Sequence, residues 1–194
     1  AIELAIEGDT IVCGPENFGQ QVTLAPEGTG FWSSSADAIS FDNPNELFTR
    51  VFADSYGTFP VTFTDNRCLD DGVTRELTFV EQPVVKITPT YPDFCIESDS
   101  LKLVASVNGS HDGTYLWSIA GNGSVGVDND QDNKQLYPPE TFDPLEIYTF
   151  TVVVYDAYGV CPAADTSVTF EGKACVYNIP NVISTNGKPR NRKF

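Results

Sequence analysis

The chain is written twice. A first unit runs from Cys13 through Gln21-Val22-Thr23-Leu24 and Gly30-Phe31-Trp32-Ser33. It continues through Tyr56-Gly57-Thr58-Phe59-Pro60-Val61-Thr62-Phe63-Thr64-Asp65 to Cys68 and closes on Leu77-Thr78-Phe79. A second unit runs from Cys95 through Leu101-Lys102-Leu103-Val104 and Tyr115-Leu116-Trp117-Ser118. It continues through Tyr148-Thr149-Phe150-Thr151-Val152-Val153-Val154-Tyr155-Asp156 to Cys161 and closes on Ser167-Val168-Thr169-Phe170. Cys to Trp spans 19 positions in the first unit and 22 in the second, and Cys to Cys 55 and 66, so the second has the looser connections. A duplication of this length calls for two similar folding units with separate cores. The expected division is 1–82, 83–174 and a third segment, 175–194.

Each quoted run alternates apolar and polar residues, the period of a strand with one buried face. Val22 and Leu24 oppose Gln21 and Thr23; Phe59, Val61 and Phe63 oppose Thr58, Thr62 and Thr64; Leu101, Leu103 and Ala105 repeat the pattern. A slip of one residue would turn each apolar row outward, so register is well specified. Between the runs stand Asp42-Asn43-Pro44-Asn45, Asp70-Asp71-Gly72, Gly121-Asn122-Gly123 and Asp143-Pro144, which supply turn geometry and stop helices. The pattern predicts an all-β chain of two tandem β-sandwiches followed by an extended segment, with no amphipathic helix. One Trp in each unit, Trp32 and Trp117, is read as a core anchor rather than an exposed sugar-stacking platform.

Charge narrows the partners. Twenty-seven acids against 11 bases give −16, and Lys188, Arg190, Arg192 and Lys193 crowd the last seven residues. Residues 1–187 therefore hold 27 acids and 7 bases, net −20. Such a body repels nucleic-acid phosphates and anionic lipid, so no nucleic-acid partner is expected. No stretch reaches the roughly 20 apolar residues of a membrane span, so no transmembrane segment is expected either. The start at Ala1-Ile2-Glu3 and the end at Arg192-Lys193-Phe194 read as a piece of a longer protein.

The five cysteines are widely spaced, none in a C-x-x-C pair, and one His accompanies them, which argues for disulfides and against zinc. Pairing within each unit is expected: Cys13 with Cys68 and Cys95 with Cys161, each clamping one end of a sandwich. On the chain-entropy account, loops of this length contribute roughly 4 kcal/mol each. Cys175 is left over, for a partner beyond Phe194 or a free thiol, with Cys161–Cys175 as a competing bridge.

Catalysis finds little support. A nucleophile–His arrangement would have to be built on His111, which sits in the turn-like Asn108-Gly109-Ser110-His111-Asp112-Gly113. With 27 acids, close carboxylate pairs arise by chance and identify nothing. The chain is therefore read as a non-enzyme with no catalytic residue and no cofactor. Asp128, Asp130 and Asp132 alternate as calcium ligands do. Without Gly at the sixth place or Glu at the twelfth, where Pro139 stands, a solvated loop is the preferred reading over a calcium site. Asn108-Gly109-Ser110 and Asn122-Gly123-Ser124 match the eukaryotic N-glycan acceptor pattern, which the resemblance described next discounts.

Gly30-Phe31-Trp32-Ser33 through Tyr56-Gly57-Thr58 to Cys68, and Tyr115-Leu116-Trp117-Ser118 through Thr151-Val152-Val153-Val154-Tyr155-Asp156, resemble PKD-like and immunoglobulin-like repeats of giant Bacteroidetes surface proteins. The tail Tyr177-Asn178-Ile179-Pro180-Asn181-Val182-Ile183-Ser184-Thr185-Asn186-Gly187 resembles the start of the gliding-motility-associated C-terminal domain, the type B signal of the type IX secretion system. Pro180, Asn181, Val182, Asn186, Gly187, Asn191 and Phe194 keep that pattern. Thr185 replaces its usual Pro, Lys188 an Asp, Pro189 a Gly and Arg192 an Asp, turning an acidic turn basic. The resemblance makes 175–194 a linker and the start of that domain. It implies export across the outer membrane by the type IX machinery and display at the cell surface, in association with the outer membrane, with surface glycans or other surface proteins as partners. Asp9-Thr10-Ile11 and Asp99-Ser100-Leu101 resemble the Bacteroidetes O-glycosylation motif, which would make Thr10 and Ser100 acceptors. The function expected is a structural or adhesive module associated with attachment or gliding. The alternatives are a carbohydrate-binding accessory module of a secreted enzyme and a component bound to the export machinery.

Overall fold

The computed structural model describes residues 4–23, 30–67, 72–89, 100–108, 114–121, 125–127, 131–138 and 141–174. At 18, 19 and 21–23 the description is of the backbone, so the expected alternation at Val22 and Leu24 lies outside the described side chains. Every regular element among the described residues is a strand. The first eight are β1 (Ala5–Glu7), β2 (Ile11–Cys13), β3 (Glu16–Thr23), β4 (Gly30–Ser33), β5 (Ile39–Phe41), β6 (Phe48–Ala53), β7 (Gly57–Asp65) and β8 (Gly72–Val80). They form two sheets, β1-β3-β6-β5 and β2-β8-β7-β4. The remaining six are β9 (Val85–Thr88), β10 (Leu101–Val107), β11 (Thr114–Ala120), β12 (Lys134–Tyr137), β13 (Ile147–Tyr155) and β14 (Ala164–Glu171). They form the sheets β12-β10-β9 and β11-β13-β14.

The buried apolar residues fall into two clusters, and each draws on both sheets of its own half. The first gathers Trp32, Val51, Ala53, Val61, Phe63, Leu77 and Phe79. The second gathers residues from Val85 to Phe170 around Trp117, Phe142, Tyr148 and Phe150. Period-two alternation produces this directly. Val61 and Phe63 are buried while Thr58 faces out, and Leu101, Leu103 and Ala105 are buried between exposed or half-buried neighbours. The outward threonines of β7, β8, β13 and β14 pair across strands, Thr58 with Thr78 and Thr62 with Thr74 at 2.8 Å, and Thr149 with Thr169 at 2.9 Å. These contacts hold register on the solvent side.

Both indoles are inside, each 3% exposed. Trp32 packs edge-on against Phe63, with ring centroids 5.4 Å apart. Its Nε1–H donates to the Glu46 carbonyl at 2.8 Å, and the Trp117 Nε1–H donates to the Asp132 carbonyl at 2.7 Å. An indole thus buries its large apolar area without leaving its donor unpaired. Gly30 opens β4 because the backbone passes so close to the Phe63 ring and the Thr64 carbonyl that a Cβ would overlap both.

Strand direction sets up the junction. β8 runs toward Val80, the last residue before the connection to β9. β2 lies parallel to β8, with Ile11 beside Thr78 and Cys13 beside Val80, so Cys13 arrives at the same end. In the second half Val107 pairs with Val85 and Ala164 with Val154, so the start of β9, the end of β10 and the β13–β14 turn meet at the near end.

Candidate functional site

The feature that gathers the most specific polar contacts is this junction. Its organiser is Asp156, 4% exposed, directly after β13. One carboxylate oxygen accepts the Tyr158 N–H at 2.9 Å and the Val160 N–H at 3.3 Å, and the other accepts the Cys161 N–H at 2.8 Å. Burial pushes this carboxyl's pKa up, but the N–H donors of Cys161, Tyr158, Val160 and Gly159 outweigh it and hold the group below its ordinary value. Gly159 takes the left-handed conformation, φ 67°, that lets the loop close so tightly. The turn carries Cys161, 8% exposed, back over the connection, where its sulfur lies 3.8 Å from the carbonyl oxygens of Val80 and Glu81.

There Cys161 is bonded to Cys13, with Cα atoms 4.9 Å apart across a sequence separation of 148. Gly14 N–H donates to the Val80 carbonyl at 2.9 Å and fixes the chain just past Cys13. Asn108, at the end of β10, secures the other side. Its Oδ1 accepts the Val84 N–H at 2.5 Å, and its Nδ2 donates to Glu81 Oε1 at 2.7 Å and to the Gln82 carbonyl at 3.2 Å. Its own N–H donates to the Val84 carbonyl at 3.2 Å. The connection is held on both sides.

The disulfide corrects the expected pairing. Cys13 joins Cys161, not Cys68, and Cys161 does not join Cys95. Within-unit pairing assumed that the two cysteines of a unit share one rim. The parallel course of β2 brings Cys13 to the end of the first sandwich that leads into the second. The β7–β8 pair closes at Thr64 and Gly72, the opposite end of β8 from Val80. Cys68, Cys95 and Cys175 lie outside the described residues.

Asp65 is the counterpart of Asp156 in the first unit, 4% exposed at the end of β7. Its Oδ1 accepts the Arg67 N–H at 2.8 Å and Nε–H at 3.0 Å, and its Oδ2 pairs with Arg67 Nη2 at 2.5 Å. The guanidinium contacts, followed by the Arg67 backbone N–H, hold its pKa below the ordinary carboxylate value despite burial. Both aspartates were visible as matching ends of the repeat, but their role was missed. The sequence presents Asn108 as part of a turn and of a glycan acceptor pattern, whereas its amide is engaged by the connection.

Of the other candidate residues, Thr10 and Ser100 are exposed beside β2 and β10, and the Thr10 carbonyl accepts the Thr78 N–H at 2.7 Å. Asp132 is exposed and contributes its carbonyl to Trp117, while Asp128 and Asp130 lie outside the described residues. His111 and the secretion-motif residues Pro180, Asn181, Val182, Asn186, Gly187, Asn191 and Phe194 also lie outside them. Among the described residues no group of three or more His, Cys, Asp or Glu side chains is placed to hold a metal. No described helix is long and apolar enough to cross a membrane.

These sandwiches define the class: the chain is an all-β protein of immunoglobulin-like β-sandwiches. The C-terminal 282-residue fragment of intimin, solved with the intimin-binding domain of its translocated receptor, is similar in fold, with a TM-score of 0.52 and 13% identity over 88% of this chain and 63% of that one. The human mucin-like protocadherin EC1-2 gives 0.48 and 12% over 90% and 99%, and a three-immunoglobulin-domain segment of titin 0.48 and 9% over 88% and 64%. At these identities the intimin likeness speaks for the fold alone. No protein-family profile matches the sequence, and no curated protein does.

Proposed function

We propose that this chain is a non-enzymatic structural or adhesive segment of a bacterial surface protein. In this reading 1–82 and 83–174 are stalk modules, and 175–194 begins the domain that the type IX secretion machinery recognises. The observation that carries the stalk reading is the burial of both indoles, each with its N–H bonded to a main-chain carbonyl. A carbohydrate platform needs flat aromatic rings open to solvent; here the largest rings are spent on the cores. The junction supports the same reading, because a disulfide and a side-chain clamp on the connection serve a stiff spacer. Export rests on the tail motif, and Thr10 and Ser100 remain the proposed acceptors for O-glycans.

Acrylamide quenching of tryptophan fluorescence, with and without a panel of surface glycans, tests the stalk reading. Weak quenching that glycans leave unchanged is expected; strong quenching relieved by a glycan would replace the stalk by a carbohydrate-binding module. Export is tested separately, by appending residues 175–194 and the sequence that follows them to a reporter in a type IX-competent cell.

A further inference from the structure

Tension on this chain has a covalent short cut. β1 runs antiparallel to β3, which leaves the junction end at Glu16, so β1 and then β2 run toward the junction along the first sandwich. At Cys13 the path crosses 4.9 Å of Cα separation to Cys161. From there β14 runs from Ala164, near the junction, to Glu171 at the far end of the second sandwich. β1, β2, the disulfide and β14 thus form one continuous covalent path through both sandwiches. Residues 14–160, spanned by a sequence separation of 148 and containing nearly all of both cores, hang from that path as a closed loop.

We propose that the Cys13–Cys161 bond is a force bypass: pulling on the two ends loads β1, β2, the disulfide and β14, and leaves residues 14–160 without tensile load. The loaded strands are already extended, so stretching them yields little length. They are also held along their sides. β2 pairs with β8, Arg75 Nη1 donates to the Ile6 carbonyl at 2.9 Å, and β14 pairs with β13 over eight positions. Force along a strand loads such bonds together, in shear. Bridges among Cys68, Cys95 and Cys175 add closed loops and lengthen no path while the bypass holds. The biological use of such a device rests on the stalk reading, but the mechanical property does not.

The test is single-molecule stretching of the whole 194-residue chain, held at its two ends, before and after tris(2-carboxyethyl)phosphine is added to the same preparation. Mass mapping of a non-reduced digest establishes the bridge first. Oxidised molecules should release no more than the residues outside the loop, roughly 150 Å at ~3.5 Å per residue. Reduction should add roughly 500 Å, the contour of the 148-residue separation at that rise. With reductant present the Cys13→Ser/Cys161→Ser variant should match the reduced wild type, and without it the variant should fall short only by a loop that a bridge among Cys68, Cys95 and Cys175 closes. Release near the reduced value from molecules with Cys13 joined to Cys161, or a digest joining Cys13 to Cys68, would overturn the proposal. Either failure leaves the quenching experiment unaffected, so the bypass and the stalk reading fail independently.

Discussion

Asp156 shows how much one carboxylate can organise. Three backbone N–H groups converge on it, and the last belongs to the cysteine that closes the junction. Asp156→Ala removes the acceptor from those donors; Tyr158 and Val160 are exposed and water replaces part of their bonds, while the buried Cys161 N–H loses its partner, a loss of about 1–2 kcal/mol. A lower denaturation midpoint and slower oxidation of the Cys13 and Cys161 thiols are expected, with Asp156→Asn intermediate because one acceptor oxygen survives. The sign with pH follows from the lowered pKa. Stability contributed by a depressed carboxyl is complete above the unfolded-state value, about 3.9, and disappears as pH falls through the folded value. The wild type should therefore begin to approach Asp156→Ala as pH falls below about 4 and meet it only below the lowered folded value. Acidification also relieves the self-repulsion of a chain with net charge −16, but it does so in both proteins and cancels in the comparison. The sequence already displayed this residue, since Asp65 and Asp156 close the same run in both units. Nothing in the residues around Asp156 marked it as a turn organiser, because its partners are main-chain groups that carry no residue signature.

Among the elements, the strands were the most legible and the connections the least. Alternation at Phe59-Pro60-Val61-Thr62-Phe63 and Leu101-Lys102-Leu103-Val104 fixed which faces turn inward, since a misplaced row would cost several buried side chains. It said nothing about which way a strand runs relative to its neighbour. The expected Cys13–Cys68 pairing failed on that point: β2 joins β8 in parallel, a non-local choice that three residues of Ile-Val-Cys cannot declare. The Glu81-Gln82-Pro83-Val84 connection was equally opaque, because what orders it is Asn108, 24 residues beyond Val84. Asn108→Ala removes an acceptor and a donor from that connection at once. It should cost about 1–2 kcal/mol and speed hydrogen exchange at the Val84 amide while leaving the disulfide formed. Asn108→Asp keeps the acceptor for Val84 but places a second carboxylate against Glu81. It should restore protection of the Val84 amide only in part, and exchange like the wild type in Asn108→Asp would assign the clamp to the Oδ1 acceptor alone.

For the whole molecule, the disulfide decides whether the two sandwiches unfold as one body or as two. Without it, a peptide connection and the Asn108 contacts join them, and each core can melt largely alone. With it, melting either sandwich beside a folded partner leaves the unfolded segment pinned at both ends, at the connection and at the bridge. On the chain-entropy account a loop of about 70–80 residues raises the cost of that partial unfolding by about 4 kcal/mol. Melting both together closes one loop of 148 residues, for which the same relation gives about 5 kcal/mol. The penalty grows only with the logarithm of loop length, so the second sandwich to melt adds about 1 kcal/mol where the first added about 4. Partially unfolded states are thus raised by roughly 3 kcal/mol relative to independent constraints, and cooperativity between the halves is the consequence. Scanning calorimetry should show one merged transition for the oxidised chain, and two separated transitions at lower temperatures after reduction or in Cys13→Ser/Cys161→Ser. Two resolved transitions persisting in the oxidised chain would mean that the bridge tethers the sandwiches without coupling their stabilities, because the unfolded segment then gains nothing from release at its bridged end.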